Sequence, residues 1–322
     1  MGAALQSVLD RDLDAAEQAL VRAVQIDPDA VTPHLALGRL YRMRGEIGRA
    51  IRIHQNLLLR KDLERGQRRT LLADLGSDFR QGGFAQRAVA CFEDALAEDK
   101  RDVAALQALV ELHAQAGQPE RALECQRRLA KLTRSERGGR EALLYVELAR
   151  AEHANGRHDE ALRAAKRALR ADRRCAAAWL LVGDLEAERG RAKAALAAWC
   201  EAPRADRASG AGVYARLEAT YATLGRAREF ETYLLRLLDE QPDDARARRA
   251  LATALAARGG IDEGIGHLNQ LLARNPDDLG ARAALGRILL SDGRLEDAAR
   301  EFEQLMAALD RLGLTGSAEK PE

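Results

Sequence analysis

The chain is short of the residues that mark most ligand chemistries. Phe, Trp and Tyr make up 4% of its 322 residues, which leaves few rings to stack on bases or sugars. No sign of charge dominates, because 51 Lys and Arg face 50 Asp and Glu. A dedicated nucleic-acid binder carries a basic excess, so no nucleic-acid partner is expected. Only six of the 51 basic residues are lysine, a bias that reads as genome composition more than as function. The four cysteines, Cys91, Cys125, Cys175 and Cys200, have neither metal-clip nor redox-pair spacing and are too few for a disulfide framework. A reducing, cytoplasmic setting fits them. No stretch approaches the roughly 18 uncharged apolar residues of a membrane helix, and no signal peptide opens the chain. Direct membrane insertion is therefore not expected of this chain. What the sequence does have is apolar bulk, 47% hydrophobic beside 31% charged residues, enough for a sizeable core and too much for disorder.

That bulk is distributed periodically. Gly45, Gly83, Gly117, Gly156, Gly190, Gly225, Gly259 and Gly293 are spaced by 38, 34, 39, 34, 35, 34 and 34 residues. A 34-residue period of paired antiparallel helices is the tetratricopeptide repeat. In this register each glycine ends the first helix of a pair in the left-handed conformation. Ala50, Ala88, Ala122, Ala161, Ala195 and Ala298 stand five residues after their glycines, where a small side chain lets paired helices approach. Phe92, Trp199 and Phe302 follow four residues later on the same face. Phe230 and Gly264 break the small-alanine rule, and Arg11 replaces the first turn glycine. Pro28, Pro242 and Pro276 stand after second helices and Pro119 opens one, so no proline is expected inside a helix.

The fold class is thus all-α, a tetratricopeptide-repeat superhelical solenoid of about nine helix pairs. The array spans 1–312, with a shortened first repeat at about 2–30 and full repeats near 31–64, 69–102, 103–136, 142–175, 176–209, 211–244, 245–278 and 279–312. The two longer spacings place loop insertions near Arg65–Arg68 and Arg137–Glu141, and 313–322 reads as a flexible tail.

Residues 34–60, HLALGRLYRMRGEIGRAIRIHQNLLLR, are more specific than a generic repeat. They resemble the lipopolysaccharide assembly protein B family through His34, Arg44, Glu46, Arg52, His54 and Gln55. The likeness continues through Gln67-Arg68, Leu75-Gly76, Asp78-Phe79, Gly83, Arg87-Ala88 and Phe92, strongest over 31–96 and collinear to about 310. The resemblance implies a cytoplasmic repeat array, at the inner face of the inner membrane in the full-length protein. It also implies an adaptor role, bringing the deacetylase that commits to lipid A synthesis to a membrane AAA protease. The family's membrane helix and its C-terminal zinc module are expected to lie outside this chain, which opens in the first repeat and stops where the Cys-x-x-Cys clips would begin.

Catalytic signatures are missing from the sequence. There is no phosphate loop, no Gly-x-Ser-x-Gly elbow, no His-Glu-x-x-His and no dinucleotide fingerprint. A non-enzymatic scaffold without cofactor is expected. His34 and His54 stand at large-residue positions, where filling the core and contacting a partner are both open. His153 and His158, five apart, straddle a helix turn, which reads as poor geometry for a shared metal, so no metal site is expected. Cys91 and Cys125 read as small core residues.

First helices line the concave face of such a solenoid, an extended surface for a protein or peptide segment. The register puts Arg39, Arg42, Arg80 and Arg150 there, with Asp74, Ser77, Gln81, Glu111 and Gln115 beside them. Arginine forks suit carboxylates of an incoming peptide. Reversing Arg39, Arg42 and Arg80 together is expected to abolish capture at little cost in stability. The lysine-and-asparagine clamp for chaperone tails is absent. Two alternatives stay open, a generic repeat adaptor in another complex and an RNA-binding helical repeat. Phe302, Leu305, Met306, Leu309 and Leu312 give the last helix an apolar stripe, expected to support self-association at the C-terminal end, to dock a further partner, or to pack against the preceding helix.

Overall fold

The computed structural model describes residues 2–133 and 138–311, with side chains from residue 13 onward except that of Ala211. Among them are seventeen α-helices and no strand. α1 (Gly2–Ile26) stands alone. Eight pairs follow: α2 (Val31–Met43) with α3 (Ile47–Leu58), α4 (Arg65–Gln81) with α5 (Ala85–Glu98), α6 (Val103–Gln115) with α7 (Pro119–Thr133), and α8 (Gly138–Ala154) with α9 (His158–Ala171). The rest are α10 (Ala176–Glu188) with α11 (Ala192–Ala205), α12 (Gly210–Thr223) with α13 (Ala227–Glu240), α14 (Ala245–Ala257) with α15 (Ile261–Arg274), and α16 (Leu279–Ser291) with α17 (Leu295–Arg311). A short 3-10 turn, Arg207–Ser209, precedes α12. The chain divides into two compact units, 1–148 and 149–322.

The eight turn glycines have φ between +65° and +98°, the region closed to residues with a Cβ except at a cost. Each closes its helix in the same way. At Gly45 the glycine N–H donates to Arg42 O and the next N–H, of Glu46, donates back to Tyr41 O at 2.9 Å. The second bond recurs from Phe84 to Phe79, Gln118 to His113, Arg157 to Glu152, Arg191 to Glu186, Arg226 to Tyr221, Gly260 to Leu255 and Arg294 to Leu289. These are Schellman closures, which satisfy carbonyls that the helix end leaves without partners. Asp102, Asp244 and Asp278 cap α6, α14 and α16, each accepting from a backbone N–H of the first turn.

The six alanines five residues beyond the turns are fully buried. Above several of them a ring of the second helix seats on a glycine of the first. A Cβ on Gly76 would lie 3.1 Å from the Phe92 ring, one on Gly183 2.2 Å from Trp199, and one on Gly286 2.8 Å from Phe302. In the second unit the core runs through Trp199, Tyr214, Leu217, Phe230, Leu234 and Leu251, then through Leu268, Ala281, Leu285 and Ile288. Phe230, in an alanine position, is buried and its ring lies 5.9 Å from that of Tyr221.

Several expectations need correction. The region 2–30 holds one 25-residue helix, Gly2–Ile26, with no turn at Arg11, so the seventeen helices among the described residues form eight pairs and a lone first helix, in keeping with about nine repeats. Arg11 cannot readily take the positive φ that stops a first helix, and α1 continues through it. Leu13, Ala16, Leu20 and Val21 of α1 pack against Leu37, Leu40 and Tyr41. Of the two expected insertions, Arg65–Arg68 lie in helix, at the start of α4, and Gly138–Glu141 likewise open α8, while Arg137 lies outside the described residues. α4 and α8 have 17 residues where α2, α6, α10, α14 and α16 have 13, about one added turn. At α4 this turn starts with a capping box, in which Gln67 Oε1 accepts from the Glu64 N–H at 3.1 Å. Pro203 lies inside α11, two residues before its last, where only the Trp199 carbonyl loses its helical donor. Leu312 and the expected tail 313–322 lie outside the described residues.

Candidate partner-binding groove

Within the first unit, α2, α4 and α6 bring their polar faces to one groove of about 550 Å3. Arg39, Arg69, Ser77, Arg80, Gln107 and Glu111 are among its lining residues, with Phe92 and Ala108 on its apolar side. The groove is floored by a chain of charges. Asp74 and Asp78, one turn apart on α4, face Arg39 and Arg42, three apart on α2. Arg39 grips Asp74 with Nε donating to both carboxylate oxygens, at 3.0 and 2.8 Å. Arg42 reaches further in. It donates to Asp74 Oδ1 and to the Asp74 carbonyl, both at 3.0 Å, and to Asp78 Oδ1 at 2.8 Å. The other Asp78 oxygen lies 2.5 Å from His54 Nδ1.

Burial separates these arginines. The Arg39 side chain is 49% exposed and that of Arg42 19%, while Asp78 and His54 are completely enclosed. A half-exposed pair contributes about 0–1 kcal/mol. Removing one member of a buried pair costs about 3–5 kcal/mol, because the survivor is left charged and dry. Arg42 is therefore a structural residue, and its reversal cannot leave stability unchanged. Arg80 resembles Arg39. It is 44% exposed and donates to Glu111 Oε2 at 3.1 Å. Asp102, which caps α6, also lies 3.3 Å from Arg69.

The other expected site residues spread out. Gln81 donates from Nε2 to the Arg42 carbonyl at 3.4 Å. Arg150 is exposed on the part of α8 that belongs to the second unit. His34 places Nδ1 2.8 Å from the Ala30 carbonyl at the start of α2. Arg44 pairs with Asp14 and Glu17 of α1 and lies 3.7 Å from Glu46, so it fastens the lone helix to the first pair. Arg52 donates to the Gly48 carbonyl at 3.2 Å, and Gln55 is exposed. His54 has a packing role as well. Its ring fills the space over Gly38, where a Cβ would lie 2.3 Å from Nε2, and Nε2 has no hydrogen-bond partner.

The part played by Asp78 was not evident from the sequence. The available signal was two acids at i and i+4 on one first helix, opposite two arginines at i and i+3 on the one before it. Cys91 and Cys125 are buried, and burial pushes the Cys91 thiol up to about 11. The expectation of poor geometry at His153 and His158 fails. The turn at Gly156 folds back so tightly that their Nδ1 atoms are 3.2 Å apart.

The geometry defines a repeat protein whose groove offers paired charges. The tetratricopeptide repeat model matches residues 73–136, 146–210 and 250–312, and the chain belongs to that family. The chain is similar to lipopolysaccharide assembly protein B of Escherichia coli strain K12, with 29% identity over 258 residues, 80% of this chain. The same figures hold for the protein of Escherichia coli O157:H7. This chain spans 66% of the length of these curated relatives. Among solved structures, YrrB, described as a TPR protein with an unusual peptide-binding site, aligns with a TM-score of 0.37 at 20% identity, covering 60% of this chain and 96% of YrrB. The Naa15/Naa10 structure bound to HypK-THB aligns with a TM-score of 0.48 at 15% identity over 95% of this chain and 50% of that one. Among the described residues no helix is long and apolar enough to cross a membrane.

Proposed function

We propose that the chain is a non-enzymatic scaffold that holds an extended protein segment in the groove of its first unit. Its role is that of an adaptor in lipopolysaccharide assembly, working in the cytoplasm at the inner face of the inner membrane. It presents the deacetylase that commits to lipid A synthesis to a membrane AAA protease. The observation that supports this reading is a coincidence of place. Arg39, Ser77 and Arg80 line the groove and lie within residues 31–96, where the sequence follows the assembly protein B pattern most closely.

The charges divide the labour. Arg80 sits in a weak, half-exposed pair, and Arg39 is half-exposed over an Asp74 that Arg42 also holds, so an incoming carboxylate can take over either guanidinium at small cost. Gln81 and Arg150 are further partner contacts on the exposed sides of α4 and α8. Arg42 and Asp74 hold the floor. The apolar stripe of α17, where Met306 is 52% exposed, serves self-association.

The test is capture of the purified deacetylase, and separately of the cytoplasmic part of the protease, on immobilised chain. Arg80→Glu combined with Ala104→Trp reverses one charge and fills the groove from two exposed positions. Capture of both partners should be lost while the melting temperature stays within a degree or two. Unaltered capture by this variant overturns the groove. Failure of the wild-type chain to hold either partner overturns the role in lipopolysaccharide assembly.

A further inference from the structure

The turn between α8 and α9 does more than reverse the chain. Gly156 takes φ +75°, and the N–H groups of Gly156 and Arg157 donate to His153 O and Glu152 O, both at 2.9 Å. This closure places His153, in the last turn of α8, against His158, the first residue of α9. The ring centroids are 5.1 Å apart and the planes meet at 65°. The Nδ1 atoms face each other at 3.2 Å. Glu188, the last residue of α10 in the next repeat, brings Oε1 to 3.5 Å from His153 Nε2. One donor atom from each of the three residues lies within 4.8 Å of the others.

We propose that His153, His158 and Glu188 form an exchangeable binding site for a divalent transition-metal ion that clips two neighbouring repeats together. The separations suit the chemistry. Two imidazole nitrogens on one tetrahedral zinc, each at about 2.0–2.1 Å from the ion, stand about 3.4 Å apart, close to the observed 3.2 Å. Two imidazoles and one carboxylate select zinc and its borderline neighbours over magnesium and calcium, which take oxygen donors. The carboxylate offsets part of the charge of the dication. The nearby cations are already engaged, Arg157 with Glu152 and Arg189 with Asp159. His153 is 35% exposed and Glu188 50%, so an ion arrives from solvent and leaves to it. Glu188 is exposed, so its side chain is free of packing that would hold it away from the ion.

The clip has a mechanical consequence. Two ligands come from the repeat at 142–175 and the third from that at 176–209. In a stack whose stability is a sum of repeats and their interfaces, a bond across one interface stabilises that junction. An ion that binds the folded state alone raises the unfolding temperature with its concentration.

The test uses the full chain, freed of metal with a chelator and titrated with Zn2+. Calorimetry should show one saturable equivalent, and the melting temperature should rise with added Zn2+. His153→Gln, His158→Gln and Glu188→Gln should each weaken binding about tenfold or more, while His267→Gln should leave it unchanged. Imidazole 15N spectra of the unmodified chain give a second reading free of any folding defect, in which Zn2+ should shift the His153 and His158 resonances together. No saturable equivalent, equal binding by His153→Gln, or shifts confined to other histidines would overturn the site.

Discussion

Two glycines in one helix give opposite answers to the same substitution. Gly264 and Gly266 both lie inside α15, and alanine is favoured over glycine in a helix interior by about 1 kcal/mol. By propensity alone both changes stabilise. The packing differs. An alanine Cβ at Gly266 meets nothing within 4 Å, whereas one at Gly264 lies 2.6 Å from the Ala252 carbonyl oxygen and 3.6 Å from the Ala256 Cβ. The near atom belongs to the backbone of α14, so no side chain can rotate away and the two helices must part. Overpacking of this kind costs about 1–3 kcal/mol. Gly266→Ala should therefore stabilise by about 1 kcal/mol. Gly264→Ala should be neutral to destabilising by about 2 kcal/mol once its propensity gain is subtracted. The two variants should differ by about 1–3 kcal/mol. Urea unfolding followed by far-ultraviolet circular dichroism measures both, and the comparison needs only a midpoint difference at equal slope. Equal midpoints, or the higher midpoint for Gly264→Ala, would refute the claim that this glycine sets the approach of α15 to α14.

Other consequences follow from burial. Arg42→Ala should destabilise by about 3–5 kcal/mol, and Arg39→Ala by no more than about 1 kcal/mol, by the same urea measurement. Met306→Glu should abolish self-association in sedimentation velocity and leave the fold intact, whereas Leu309→Glu, at a half-buried position on α17, should lower the melting temperature. The Cys91 thiol, held up to about 11 by burial, should react with iodoacetamide at pH 8 far more slowly in the native chain than in urea, because the thiolate is the nucleophile. Native and denatured rates that match would contradict its enclosure.

How much of this was legible in the sequence depended on the range of the signal. The turns were readable because a left-handed residue is a local requirement, and glycine meets it at eight matched positions. The seats for the rings were half readable. Ala88 and Phe92 announce a close pairing, but that Gly76 receives the ring depends on the neighbouring helix. A fixed 34-residue frame hid the longer α4, although Glu64 and Gln67 carried a local start signal. α1 shows the opposite case, a stretch in which Arg11 stands where the repeat needs glycine and the helix runs on. The chain of charges from Arg39 to His54 joins residues on three helices, and nothing local to His54 names Asp78, 24 residues away. The register turns the chain at Gly156, between His153 and His158, but the closeness of their Nδ1 atoms, 3.2 Å, depends on how tightly that turn closes.

The central claim is that the first-helix face of the first unit holds a protein partner. Site-specific photo-crosslinking in living cells tests it most directly. A crosslinking amino acid at Gln107, exposed in the groove, is compared with one at Gln86, exposed on the second helix α5. The account predicts a defined adduct from Gln107, identified by mass spectrometry as the deacetylase or the protease, and none from Gln86. An adduct from Gln86 alone, or none from Gln107 in cells that contain both partners, would contradict it.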